Sequence, residues 1–143
     1  MTTQESTADG ALAGVRDWLA EMQGCVRGVD YARARGLFLP DVVGFGTYGG
    51  VLVGLDALEA GQWRHVWPNI ADFTFRVGEA RMGADGDLAW VACPWDSLGR
   101  RPDGSTFPRP GRMTVILARR DGRWLAAHTH FSLYPTGAIE PTP

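Results

Sequence analysis

The hydrophobic residues of this chain change from a helical to a strand-like spacing at Pro68, and this change constrains the fold more than any other feature. Before Pro68, apolar residues recur at steps of three and four, which is typical of one face of an amphipathic helix. The clearest series is Leu12, Val15, Leu19, Met22 and Val26. After Pro68, four segments separated by turn sequences predict strands, namely IADFTFRVGEARM, DLAWVACPWDSL, FPRPGRMTVILARR and GRWLAAHTHFSLY. Helices followed by an antiparallel meander predict an α+β fold with helices on one face of a curved sheet.

Local signals divide the first half of the chain further. Asp30 is placed to cap a short second helix. The segment LFLPDVVGFGTYGGVLVG consists of short apolar pieces broken by glycines and predicts a short hairpin. Asp56 with Glu59 three positions later predicts the start of a third helix, which Pro68 terminates. In the second half, Asp121 and Gly122 form the strongest hairpin signal.

The chain has 143 residues, about the length of one domain. We predict that residues 9–134 form this domain, with flexible tails at residues 1–8 and 135–143. No apolar run approaches the ~20 residues of a membrane-spanning helix. The polar start MTTQESTADG also lacks the basic and apolar regions of a signal peptide. We therefore expect a cytoplasmic protein that does not bind a membrane.

The charged residues and cysteines argue against several kinds of site. All 14 cationic residues are arginines scattered along the chain, and the formal net charge is −2. This distribution provides no basic surface for nucleic acid, and without lysine no Schiff base can form. Cys25 and Cys93 lie far apart without the paired spacing of a disulfide framework or a zinc site. We expect both to be core thiols.

The last two predicted strands carry a motif that reads G-R-x-T, then D-G-x-W, then H-x-H-x-S. It comprises Gly111, Arg112, Thr114, Asp121, Gly122, Trp124, His128, His130 and Ser132. The motif resembles the SnoaL-like and calmodulin-dependent kinase association-domain branch of the nuclear transport factor 2-like superfamily, over about residues 9–134. The resemblance implies a cone-shaped fold with N-terminal helices packed on a curved, mostly antiparallel sheet. It does not imply one activity, because this fold hosts isomerases, cyclases, dehydratases, binding modules and oligomerisation domains.

One catalytic group of the superfamily is missing where the resemblance would place it. In the ketosteroid isomerase branch a general-base aspartate lies on the first strand, and the corresponding stretch here is DVVGFGTYGG. The base position falls near Gly46 or Thr47, and neither residue is a carboxylate. We therefore do not expect steroid-type isomerisation by that route.

His128 and His130 are the main candidates for a catalytic role. Alternation along a strand would place both on one face with Trp124 and Ser132. On that face they would line the cone, one of them as a proton carrier or ligand hydrogen-bond partner, because an unperturbed histidine pKa of about 6.5 allows either charge state. The alternative is that both are structural histidines, bonded across the sheet or a subunit interface.

Two charged residues could support the histidines. Arg112 lies on the neighbouring predicted strand and could hold an anionic or carbonyl group across from them. Asp96 is a further catalytic candidate, because an ionised group inside a strand pattern needs a partner such as Arg112. Alternatively, Asp96 marks the solvent face near a strand end. A metal site would need a third ligand, for which His65 is the remaining histidine, so we predict neither a metal nor another cofactor.

Aromatic residues suggest the kind of ligand. Six tryptophans are an unusually large number for a chain of this length. Several that converge under a curved sheet would form a cavity for a planar apolar molecule, and the alternative is that they fill the core. The candidate ligand-binding residues, besides Arg112, are Trp63, Trp67, Trp90, Trp18, Tyr48 and Tyr31.

These observations predict a homodimeric domain that binds a small apolar, aromatic or polyketide-like molecule. If the domain is an enzyme, the expected chemistry is cofactor-free proton transfer, as in isomerisation, cyclisation or dehydration. The alternative is a non-catalytic oligomerisation or ligand-carrying module. A cavity of several hundred Å³ with converging histidine and arginine favours a ligand site, whereas a filled cone favours a scaffold.

Overall fold

A computed structural model describes residues 3–135, with side chains from residue 10 onward. The described residues form three helical segments, α1 (Thr3–Gly28), α2 (Tyr31–Arg35) and α3 (residues 55–69). They also form eight strands: β1 (Phe38–Phe45), β2 (Val51–Val53), β3 (Ile70–Phe75), β4 (Arg81–Asp85), β5 (Leu88–Arg100), β6 (Thr106–Pro108), β7 (Gly111–Arg120) and β8 (Arg123–Leu133). As predicted, a short hairpin separates the second helix from the third.

The strands form one mixed sheet in the order β2-β1-β8-β7-β5-β3, and the short strands β4 and β6 pair with β5. Among the described pairs, β1 and β8 run parallel and all others are antiparallel. Helix α1 lies against β3, β4 and β8. The predicted α+β fold, with an N-terminal helix packed on a curved and mostly antiparallel sheet, is confirmed.

Helix α1 buries the face that its apolar spacing predicts. Four members of the predicted series are buried: Val15, Leu19, Met22 and Val26. The helix begins at Thr3 rather than Asp9, so residues 3–8 belong to α1 instead of a tail. Residues 136–143 of the second predicted tail lie outside the described residues. Within residues 3–135, no helix combines the length and the hydrophobicity that crossing a membrane requires.

Helix α3 departs from regular α-helical geometry. It contains a π-helical segment at Glu59–Trp63 and ends in a 3-10 turn at Trp67–Asn69, which includes Pro68. A π-helical turn holds more residues than an α-helical one, and it is often found at functional sites. Here the adjacent residues Gln62 and Trp63 are both buried. The irregular turn therefore brings an amide and an indole into the cone together.

Two of the four predicted strands are interrupted. The first predicted strand after Pro68 forms β3 and β4, which are separated by a 3-10 turn at Val77–Glu79. Strand β4 pairs with the start of β5 and β3 with its end, and Pro94 lies where the partner changes. Proline has no N–H to donate to a ladder, which accounts for its place in this gap. A second interruption, at Arg109 and Pro110, separates β6 from β7.

Cys25 and Cys93 are both buried in the core, as predicted. Burial raises the pKa of each thiol, and that of Cys93 reaches about 11. Because the thiolate is the nucleophilic form, neither position favours nucleophilic chemistry.

Candidate functional site

A small cavity lies inside the cone, between helices α1 and α3 and the inner face of the sheet. It offers about 40 Å³ of room for water-sized molecules, enough for roughly three waters. The cone is therefore largely filled by its own side chains. The cavity is smaller than the several hundred Å³ expected of a ligand site, so its volume by itself favours the scaffold alternative, and the case for a ligand depends on the lining and on the pocket next to it.

Aromatic side chains form most of the cavity wall. The indole rings of Trp63 and Trp67 stack with 4.7 Å between their centroids and 19° between their planes. On the sheet side, the ring of Phe73 lies 5.3 Å from that of Trp95 and 6.4 Å from that of Phe131. Residues four apart share a helix face, which explains the first pair. The wall thus presents broad, flat apolar surfaces.

Three polar side chains meet at one end of the cavity. Gln62 Oε1 accepts hydrogen bonds from the backbone N–H groups of Tyr48 and Gly49, at 2.9 and 2.7 Å. Gln62 Nε2 donates to Thr47 Oγ1 at 3.1 Å. The guanidinium of Arg109 donates to the same hydroxyl oxygen at 2.8 Å. One buried amide therefore holds the loop after β1 against helix α3.

The backbone of Arg109 is held in place at this end of the cavity. Its N–H donates to the carbonyl oxygen of Ser97 at 2.8 Å, and its own carbonyl accepts a hydrogen bond from Ser97 Oγ at 2.6 Å. The guanidinium carbon lies 5.7 Å from the ring centroid of Trp95. Burial lowers the pKa of Arg109, because desolvation disfavours its charged form. Arginine nevertheless stays charged at neutral pH, so this end of the cavity is positive.

Trp95 carries a polar atom without a partner. Its side chain is buried, and its indole Nε1 has no hydrogen-bond acceptor among residues 3–135. An unsatisfied buried donor costs about 1–3 kcal/mol, and such groups are rare in native cores. The wall beside Arg109 is therefore not optimised for packing alone.

His128 and His130 lie on the outer face of the sheet, and the prediction that they line the cavity is wrong. The reason is a β-bulge in β8, where Ala127 is an extra residue relative to β7. One extra residue reverses the alternation of side chains along a strand. Ala126 and Thr129, which flank the bulge, are therefore both buried, while His130 is exposed and His128 half-buried.

The contacts of His128 fit the structural alternative, whereas His130 lines an open pocket of about 470 Å³ on the outer face together with Arg112 and Ser132. His128 Nδ1 lies 2.7 Å from the backbone carbonyl oxygen of Val43 on β1, within hydrogen-bonding distance. The ring of Phe45 meets both imidazoles edge to face, at centroid distances of 4.9 and 5.2 Å. His65 is exposed on α3, and residues 3–135 contain no cluster of three or more potential metal ligands.

Asp96 and Arg112 do not pair with each other, so this part of the predicted site is also wrong. Asp96 forms a bidentate ion pair with Arg76, at 2.7 and 2.8 Å, which lowers the pKa of its carboxyl group. Both partners are partly exposed, and such pairs contribute little to stability. Arg112 is exposed on the outer face, where its Nε donates to Ser132 Oγ at 3.2 Å. Neither Asp96 nor Arg112 lines the cavity.

Of the six aromatic residues predicted to bind a ligand, Trp63 and Trp67 line the cavity. Tyr31 stacks on Trp67 at a centroid distance of 5.4 Å, but it lies outside the cavity lining. Trp18 is buried in the core and donates its indole N–H to a backbone carbonyl, also away from the cavity. Trp63 and Trp67 thus belong to the site, Tyr31 packs on it from outside, and Trp18 is a core residue.

The remaining two candidates are exposed. Trp90 lies on the outer face of the sheet and is 46% exposed, so its placement in a ligand pocket is wrong. Tyr48 is 64% exposed and stacks on His65, with 4.3 Å between the ring centroids. This pair lies next to the polar end of the cavity, beside the loop that Gln62 holds.

Sequence reasoning did not select Gln62, Trp95, Arg109 or Thr129, which all line the cavity. Gln62 reaches it through a π-helical turn, and Thr129 through a bulge, and neither irregularity has a local signal in this chain. The position of Arg109 could have been noticed from the sequence, since it lies between two prolines that restrict its backbone on both sides.

Known proteins resemble this architecture. The family model for the SnoaL-like domain matches residues 15–137. A solved structure of a nuclear transport factor 2-like superfamily protein from Salmonella enterica is 16% identical, with 90% of this chain and 94% of that chain covered and a TM-score of 0.75. A ketosteroid isomerase-like protein from Erwinia carotovora is 17% identical, with 87% and 96% covered and a TM-score of 0.72. A nuclear transport factor 2-like protein from Pseudomonas putida is 22% identical, with 93% and 92% covered and a TM-score of 0.75. No curated protein matches the chain.

Proposed function

Because the chain belongs to the SnoaL-like domain family of the nuclear transport factor 2-like superfamily, we propose that it binds a small, largely apolar molecule inside its cone. The observation that carries this proposal is a cavity with aromatic walls and one polar end. In small-molecule sites, apolar walls supply most of the contact area and a few fixed polar groups orient the ligand. The stacked indoles of Trp63 and Trp67 favour a planar molecule.

The size of the cavity limits this molecule. Room for roughly three waters is less than the ~150 Å³ of an apolar cavity that holds benzene, so a ring-sized molecule does not fit inside the cavity alone. Such a molecule has to extend past Val66 and Ile70, which line the cavity on the α3 side and at the start of β3.

Binding is better supported than catalysis by proton transfer, the chemistry of the isomerases, cyclases and dehydratases considered from the sequence. Among the described residues that line the cavity, Arg109 is the one ionisable side chain. Arginine is effectively always protonated, so it cannot act as a general base. The position near Gly46 and Thr47 also supplies no carboxylate. We therefore propose a ligand-binding domain rather than a proton-transfer enzyme.

Val66→Phe is expected to weaken this binding by about tenfold or more. Val66 is half-buried in the cavity wall, and a phenyl group there would occupy the space that the ligand needs. Binding of para-fluorotoluene, para-fluorobenzamide and para-fluorobenzoate is measured by fluorine NMR on wild-type protein and on the variant. We expect at least one probe to bind wild type and to lose affinity by about tenfold or more in the variant.

Val77→Phe is the matched control, because Val77 is exposed and lies outside the cavity. Its probe affinities should equal those of wild type, and circular dichroism should show that both variants are folded. If no probe binds wild type, or if Val66→Phe binds as wild type does, the proposed function is wrong.

The outer face of the sheet supports a second proposal, self-association of two copies of this chain. Register pairs place two rows of side chains across five strands. The first row is Val53, Val43, His128, Ile116 and Trp90, and the second is Val51, Phe45, His130, Thr114 and Ala92. Exposed apolar patches of this kind mark interaction surfaces. Within these five strands neither row contains a carboxylate or an arginine, but Arg81 on β4 pairs with Ala92 at the end of the second row, so a twofold pairing has to keep the two copies of Arg81 apart.

Ile116→Glu is expected to weaken this self-association by at least about tenfold, because a twofold pairing would desolvate a charge on each copy. Ile116 lies between His128 and Trp90 in the first row and is 42% exposed. Val77→Glu introduces the same charge at a residue with the same exposure outside the rows, and should leave association unchanged. Sedimentation equilibrium gives the mass of each protein, and a monomeric wild type would contradict the proposal.

A further inference from the structure

The charge of Arg109 has no counter-charge among the described residues. None of the ion pairs within residues 3–135 includes Arg109. A guanidinium has five N–H groups. Among the described residues, the guanidinium of Arg109 forms a single hydrogen bond, to Thr47. Burial of a charge without a partner costs free energy. A buried guanidinium without a counter-charge, and with N–H groups that form no hydrogen bond to the described residues, is suited to binding an anionic ligand.

Arg109 lies between the cavity and a second pocket, here called the mouth pocket, which has a volume of about 220 Å³. The two spaces share four lining residues: Thr47, Val66, Ile70 and Arg109. A ligand that spans both spaces would therefore pass the guanidinium. The hydrogen bond between Arg109 and Thr47 lies at this boundary.

The mouth pocket is positively charged. It contains a second arginine, Arg100, and no aspartate or glutamate from the described residues. Its remaining wall includes the stacked rings of Tyr48 and His65. The cavity lining likewise contains no carboxylate from residues 3–135. An anion can therefore approach Arg109 from the mouth pocket without meeting a negatively charged side chain in the lining of either space.

We propose that the molecule bound in the cone is a carboxylate, whose acid group pairs with Arg109 while its apolar body lies against Trp63 and Trp67. This inference rests on the proposed function and specifies the chemical class of its ligand. A carboxylate accepts two parallel N–H bonds from a guanidinium, which a hydroxyl such as that of Thr47 cannot do. The acid therefore displaces Thr47 as the partner of Arg109. An aromatic monocarboxylate with one ring satisfies the charge, and the cavity and the mouth pocket together give it the room that the cavity alone lacks.

A matched pair of probes tests the charge. Para-fluorobenzoate and para-fluorobenzamide have nearly the same shape, and differ in that the first carries a negative charge. We expect wild-type protein to bind the acid at least about tenfold more tightly than the amide. We also expect that affinity for the acid declines with added salt more than affinity for the amide.

Arg109→Gln identifies the residue responsible. The variant should lose at least about tenfold in affinity for the acid and change by less than about twofold for the amide. Arg112→Gln, on the outer face, should change neither affinity. If Arg109→Gln does not fold, the preference of wild type and its dependence on salt still decide the question.

Two outcomes would overturn the inference alone: equal affinities for acid and amide in wild type, or an unchanged preference in Arg109→Gln. Binding of para-fluorotoluene without binding of the acid would leave the proposed function standing and reject the carboxylate. Failure of all three probes would reject both proposals.

Discussion

Gly111→Ala is expected to lower the free energy of unfolding by about 3 kcal/mol, at the upper end of the usual cost of overpacking. Gly111 is buried at the start of β7, where it pairs with Trp95 on β5 and Leu133 on β8. A methyl group on its Cα would overlap both the indole ring of Trp95 and the backbone carbonyl oxygen of Ser132. Neither neighbour can move at low cost.

The indole is fixed because Trp95 is 1% exposed and packs against Phe73 and Phe131. The carbonyl oxygen is fixed because Ser132 belongs to the ladder between β7 and β8. Interiors are close-packed, so the added volume must strain one of these elements. Urea unfolding monitored by circular dichroism gives the loss as a shift of the midpoint.

Gly78→Ala serves as the control for this prediction. A Cβ at Gly78 would meet no atom within 4 Å, and its backbone does not require glycine. We expect a change of less than about 0.5 kcal/mol. Similar free energies of unfolding for the two variants would show that the ring of Trp95 does not pack closely against Gly111.

Trp63→Ala is expected to destabilise the protein by about 3–5 kcal/mol, since it removes a large buried ring and leaves a cavity. Trp63 is 3% exposed, and its ring lies 4.7 Å from that of Trp67 and 5.0 Å from that of Phe38. It therefore joins helix α3 to β1 through aromatic contacts. Thermal and urea unfolding measure the loss.

Trp63→Phe keeps an aromatic ring at the same position and should cost clearly less than the alanine variant. Trp90→Ala removes the same side chain from an exposed position, and it should cost less than either substitution at Trp63. A loss at Trp90 equal to that at Trp63 would contradict the assignment of inner and outer faces to the sheet.

Helix α1 and the last hairpin show what could be predicted from the sequence. The three- and four-residue spacing from Val15 to Val26 identified the buried face of α1, because a helix repeats every 3.6 residues. Asp121 and Gly122 form the predicted turn, and both have the positive φ that tight hairpins require. These features depend on neighbours within a few residues. The fold class and the family follow from such elements and their order.

The faces of β8 could not be predicted in the same way. Alternation correctly placed Trp124 and Ala126 on one face, but the bulge at Ala127 moved His128 and His130 to the other. Whether a strand contains an extra residue depends on its pairing with the neighbouring strand. The sequence of one strand does not specify how strongly it pairs with its neighbour in a given register.

By itself, the sequence determined the helices, most strands, the tight turn and the family, because periodicity and turn chemistry are local properties. The tertiary structure alone decided which polar groups meet in the cone. Arg109 and Thr47 are 62 positions apart, and Gln62 and Thr47 are 15 apart. They meet through strand pairing, a π-helical turn and the backbone bonds to Ser97. Such contacts depend on how distant segments pack, so the positive end of the cavity appears only once the chain has folded.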